Sequence, residues 1–254
     1  MWKDLDEVLR NRYIVSSMAT FPLIFSVAIP LIYLLTIPPE ISMADLAMLG
    51  SLVSGFDAMT PRQAIVYFLV QSNLPFYLLM PAVMPTLIAS YSIAGEKKAG
   101  TLEPLLATPA RASDILFGKT LAAVVPSVII TWASFAIYAT LVNYMTAGLF
   151  PAPLLPDALW AIALLVTAPL VSVLAVYASL LVSSRMTDVR AAQQVSAVLI
   201  VPIMGFFVLQ LFGMVSLSAT FLAAVSLALL LIDALLVKAG AAVFRREEIL
   251  TRWG

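Results

Sequence analysis

Six stretches of this chain are each long and apolar enough to cross a bilayer as a helix, and that decides most of what it can become. They cover residues 17–37, 65–91, 120–142, 158–182, 196–215 and 219–237. A spanning helix needs about 20 apolar residues to cross about 30 Å of hydrocarbon. Barrel strands would alternate apolar and polar residues over about 10 positions, and these runs do not alternate. Closed backbone hydrogen bonding then leaves helices as the spanning structure. Composition agrees. Of 254 residues 62% are hydrophobic and 11% charged, where a soluble domain carries about a quarter charged residues and must show water a polar surface. The expected fold class is an all-α integral membrane protein of six transmembrane helices, forming a single membrane domain over residues 1–254.

The basic residues orient these spans. Lys3, Arg10 and Arg12 precede the first; Lys97, Lys98, Arg111 and Lys119 follow the second; Arg185 and Arg190 follow the fourth; Lys238, Arg245, Arg246 and Arg252 follow the sixth. All of these fall on one side, and Arg62 alone falls on the other. Positive charge stays in the cytoplasm during insertion, so six crossings with both termini cytoplasmic, in the cell membrane, are expected. The first apolar run exceeds the 7–15 residues of a signal-peptide core and lacks a convincing cleavage site before Pro38, so it is read as a retained span. Ahead of it, Trp2, Leu5, Val8, Leu9 and Tyr13 recur at helical spacing opposite charged residues. That pattern fits an amphipathic helix lying among the inner lipid headgroups.

Histidine and cysteine are both absent, which removes disulfides, Cys/His zinc sites, haem ligation by His and thiol or Ser-His catalysis. With Lys+Arg and Asp+Glu at 14 each, net charge points to no partner, and none of nucleic acid is expected. Gly118-Lys119-Thr120 ends like a phosphate-binding P-loop. The glycine that motif needs five residues earlier is replaced by Ser113, and the stretch enters a membrane helix.

The loop between spans two and three, residues 95–119, carries the most information. Thr101 suits an N-cap, with Pro104 in the first turn where amides lack intrahelical partners. Leu102, Leu105 and Leu106 then share one face at i, i+3 and i+4. Thr108-Pro109 starts a second helix that runs through Arg111, Asp114 and Lys119 into span three. Three leucines on a cytoplasmic loop either pack against the protein's own helix ends or enter a groove on a partner. Gly100 allows a sharp turn out of span two.

The run Glu96-x-x-x-Gly100-Thr101-Leu102-Glu103-x-Leu105-Leu106-x-Thr108-Pro109, closing with Gly118-Lys119, resembles the signature of ABC type-2 exporter permeases. The tail from Phe244 to Trp253 resembles that family's common ending. The doublet Lys97-Lys98, where the family often has Arg after the Glu, and Pro104 are departures. The resemblance implies a permease subunit of an ATP-driven exporter, without an ATPase site or cofactor of its own. ATP and Mg would sit on partner ATP-binding cassette subunits, and a second permease subunit, identical or different, would complete the membrane pathway. Glu96, Gly100, Thr101, Leu102, Glu103, Leu105, Leu106 and Pro109 would form the coupling element. The alternatives are a secondary ion-coupled transporter, for which no mid-membrane ionisable cluster or inverted repeat is found, and a non-transporting anchor or force-transmitting subunit for an ABC ATPase.

Within the spans Gln71, Asn73 and Gln210 are candidates for the pathway or for hydrogen bonding between helices. Gln71 and Asn73, two apart, cannot share one helix face. Asp233, five residues before Lys238, is expected to reach the membrane interface. Pro30, Pro81, Pro85, Pro126, Pro169 and Pro202 free carbonyls and favour kinks, as static bends or as hinges.

Overall fold

In the computed structural model the described residues are 12–38, 41–42, 50, 56–100, 112–185, 194, 198, 200–212 and 218–243. The amphipathic stretch up to residue 11, the loop segment 101–111 and the tail from residue 244 lie outside them. The described helices are α1 (Arg12–Leu23), α2 (Ile29–Thr36), α3 (Pro61–Ser72), α4 (Leu74–Ala99), α5 (Ala112–Met145), α6 (Ala158–Ile162), α7 (Ala168–Arg185), α8 (Ile200–Leu211) and α9 (Ala219–Val243). Wide π-helical turns join α1 to α2 (Ile24–Ala28) and α6 to α7 (Ala163–Thr167). There is no strand among the described residues. Five helical rods there are long and apolar enough to span a membrane: Ala19–Thr36, Pro61–Thr86, Asp114–Met145, Ala158–Val182 and Ala219–Lys238. The chain is an all-α membrane protein. At the fifth predicted stretch the described helix is α8, 12 residues long, with flanks that lie outside the described residues.

Prolines explain where the rods depart from regular α-helix. Each π-turn ends two residues before a proline, Pro30 in one case and Pro169 in the other. A proline ring clashes with the carbonyl four residues back and offers no N–H, and a wider turn removes the clash. In the second turn Ala168 N–H bonds the Ala163 carbonyl. The Leu164 carbonyl is thereby orphaned, because its α partner is taken and its π partner is Pro169. Trp132 Nε1 of α5 donates to it at 2.9 Å. The span built from α3 and α4 is interrupted at Asn73, ahead of Pro75. There the Leu69 carbonyl accepts from Asn73 Nδ2 at 3.1 Å, and the Val70 carbonyl accepts from Tyr138 Oη at 3.1 Å. Asn73 Nδ2 thus stands in at the Leu69 carbonyl for the Asn73 amide, which goes instead to the Val70 carbonyl at 3.3 Å beside the Tyr138 hydroxyl, as apolar surroundings require.

α4 sits at the centre, packed against α5, α7 and α8, while α9 leans on α7. One core cluster joins Tyr77, Tyr138, Trp160, Leu74 and Met80 with Leu155 and Leu222. A second joins Ile88 and Ala89 of α4, Leu116 and Ala123 of α5, and Val176 and Leu180 of α7. It lies at the end of the bundle from which α4 and α5 enter the loop between them.

Candidate functional site

α4 runs without interruption to Ala99, and Gly100 follows it with φ +66°, the left-handed conformation that ends helices and that glycine adopts without strain. An added Cβ there would meet nothing within 4 Å, so the backbone alone makes the demand for glycine. On the other side of the loop α5 begins at Ala112 and continues for 34 residues. Gly118, Lys119 and Thr120 are therefore interior to a helix, with Lys119 buried and the Thr120 hydroxyl bonded to the Leu116 carbonyl at 2.8 Å. A phosphate cradle needs an open loop, and this backbone has none to offer. Of the proposed coupling residues, Glu96 falls within α4 and Gly100 at its end. Thr101, Leu102, Glu103, Leu105, Leu106 and Pro109 lie outside the described residues.

The polar residues of the spans separate into groups with different partners. Gln71 is buried: its Nε2 donates to Asp157 Oδ2 at 2.6 Å and its Oε1 accepts from Trp160 Nε1 at 2.9 Å. Asp157 Oδ1 in turn accepts from the Trp160 amide at 2.8 Å, capping α6. The three residues close a ring that fastens α3 to the start of α6. Asn73 turns instead to its own helix, to the Leu69 carbonyl. Gln210 is buried on α8 with no partner for its Oε1 among the described residues.

Three tyrosines and a serine, none singled out by the sequence reading, continue this network. Tyr138 Oη gives its proton to the Val70 carbonyl, so the 3.1 Å contact between the Tyr33 and Tyr138 hydroxyls is donated by Tyr33. Tyr77 Oη donates to Ser26 Oγ at 2.8 Å, inside the first π-turn. Trp160 packs edge-on to Tyr77 at 5.2 Å and stacks on Phe135 at 5.1 Å. The loop between α5 and α6 is tied in by two more side chains. Asn143 pairs with the Leu155 backbone through both amide atoms, at 2.6 and 3.0 Å. Gln63, partner of Thr60 in a capping box, donates to the Leu149 carbonyl at 2.7 Å.

Along α5 the buried hydroxyls of Thr120, Ser127, Thr131 and Ser134 each bond a carbonyl four residues back, at 2.6–2.8 Å. They are satisfied within their own helix and present small residues to neighbours. Asp233 is packed against the bundle. It is 5% exposed, and both carboxylate oxygens lack a hydrogen-bond partner among the described residues. α9 continues to Val243, and Asp233 falls on the stripe Leu222, Ser226, Asp233, Gly240 that is buried in the bundle.

The family model described as ABC-2 family transporter protein matches residues 1–240. The chain belongs to the ABC-2 transporter family. Comparison with curated proteins and with solved structures finds no match. As an ABC-2 family member it is the transmembrane component of an ABC transporter, a permease, and the family implies partnership with an ATP-binding cassette subunit.

Proposed function

We propose that this ABC-2 permease is the membrane subunit of an ATP-driven exporter, working with a second permease subunit and with cassettes docked at its cytoplasmic loop 95–119. Both termini lie on the cytoplasmic side in this reading, ATP and Mg are held by the cassettes, and this chain binds neither. The observation that carries the proposal is the mechanical continuity of α4 and α5. Each runs as an unbroken helix to its side of the loop, and both are fixed to α7 by Ile88, Ala89, Leu116, Ala123, Val176 and Leu180. A cassette that grips the Leu102, Leu105 and Leu106 face and then moves displaces two central helices together, because close-packed contacts transmit displacement rather than absorb it. Glu96 and Glu103 pair with basic groups of the cassette, setting register more than affinity.

The test is Leu105→Asp in the full complex. Cassette co-purification and ATPase stimulation are expected to fall, while far-UV circular dichroism and elution volume of the permease stay unchanged. Co-purification and stimulation at wild-type level overturn the coupling assignment. ATP-dependent accumulation in inverted vesicles separates an exporter from an anchor that docks the cassette without moving cargo.

A further inference from the structure

α8 packs on α4 and α9 packs on α7, and the two outer helices are bridged by stacked Phe206 and Phe221 rings, 5.1 Å between centroids. Between these two pairs lies a partly open cavity of about 270 Å³. Small side chains, Ala82 on α4 and Ala175 on α7, leave the room; Ile203, Val225 and Leu229 form the flanks. The wall holds one hydroxyl-bearing residue, Thr167, and that hydroxyl pairs with Ser226 Oγ at 2.8 Å. A water needs two to four polar partners, and this cavity has none to spare.

Its proportions narrow the occupant. Along α9 the wall extends from Phe221 to Leu229, and alongside α7 from Thr167 to Ala175. Eight residues at 1.5 Å each make about 12 Å. A dry slot of about 270 Å³ running about that length suits a stretch of hydrocarbon chain rather than a hydrated group. α4 and α7 form one side of it, and α8 and α9, which pack mainly on those two rather than on each other, carry exposed Val201, Val208, Leu227 and Leu231 on their outward faces. What surrounds such faces in a membrane is acyl chains.

We infer that this slot holds one acyl chain of a bilayer phospholipid, inserted sideways between α8 and α9. The site stands apart from the coupling loop and is independent of transport direction. The test uses the full chain in phosphatidylcholine vesicles containing a small fraction of phosphatidylcholine with a diazirine on one acyl chain. After illumination, adducts are mapped by peptide mass. Adducts on Ile203, Val225 and Leu229 are expected to exceed those on Leu227 and Leu231. Val225→Trp, which fills the slot, is expected to lower the slot adducts about tenfold, whereas Leu231→Trp on the outward face leaves them. Equal labelling of slot and outward residues indicates an ordinary lipid annulus and overturns the assignment. So does an unlabelled slot beside labelled outward leucines, the result if a second copy fills it. The wild-type ratio decides the matter even where Val225→Trp does not fold.

Discussion

Replacing Gln71 by leucine tests whether the ring of Gln71, Asp157 and Trp160 holds the bundle together. The substitution orphans the indole N–H of Trp160, a residue with no exposed surface. An unsatisfied buried donor costs about 1–3 kcal/mol. It also removes the 2.6 Å bond to Asp157, a charge-assisted contact of about 1.5–3 kcal/mol when buried. Asp157 is only half-buried and keeps its bond to the Trp160 amide, so the lower end of that range applies. Leucine's freedom from amide desolvation offsets part of the sum, and the expected net loss is about 2–3 kcal/mol. Equilibrium unfolding in mixed micelles, followed by far-UV circular dichroism, measures it. Trp160→Phe and the double variant complete a cycle, with a coupling energy of about 1 kcal/mol or more expected between the two sites. A loss for Gln71→Leu within about 0.5 kcal/mol, the range of ordinary surface changes, or strict additivity in the cycle, would refute the reasoning.

Trp132→Phe leaves the Leu164 carbonyl unpartnered and is expected to cost about 1–3 kcal/mol; in a Pro169→Ala background, where an N–H returns to residue 169, the same change is expected to cost close to nothing in the same unfolding assay. Gly100→Val should lose about 1–2 kcal/mol from its positive φ alone, with Gly100→Asn milder, and a thermal-stability series in one detergent ranks the three. Asp233→Leu, which removes two unpartnered buried oxygens, is expected to raise stability; a fall in unfolding midpoint shows that the carboxyl has a stabilising partner.

The apolar rods were legible because span length is a property of consecutive residues. A run of about 20 apolar side chains declares itself whatever surrounds it. The prolines were legible too, but not what they would do. Whether Pro169 gives a π-turn or a sharper kink depends on who takes the Leu164 carbonyl, and the answer is Trp132, 32 residues away. Gln71 announced itself as a polar residue in a span, yet its partners Asp157 and Trp160 lie 86 and 89 residues on. Tyr33, Tyr77 and Tyr138 passed unnoticed since an aromatic ring reads as apolar until its hydroxyl is placed. Two local signals were there to be found. Thr60-x-x-Gln63 is a capping box, and Asp157 stands at the N-cap of an apolar run. Which face of α9 Asp233 takes depends on packing against the bundle, which the apolar run itself does not reveal.

These observations change what the intramembrane polar residues say about transport. Each of Trp132, Tyr138 and Asn73 meets a carbonyl beside a proline or a proline-induced turn, and the α5 hydroxyls meet their own helix. Side chains so engaged stiffen the centre of the bundle rather than line a wet path. The stiffness is concentrated where it matters for the proposed mechanism. The rod built from α3 and α4 is mostly buried, whereas the first and last spans are mostly exposed. A displacement entering at residue 100 or 112 therefore reaches the element that touches α5, α7 and α8 directly. The lightly packed outer helices are then the ones free to shift against it. Under this reading, a variant that loosens the centre, such as Gln71→Leu, should impair ATP-driven transport more than its effect on cassette binding predicts. Parallel measurement of co-purification and vesicle accumulation separates the two, and an equal loss in both would place the defect at the docking surface instead.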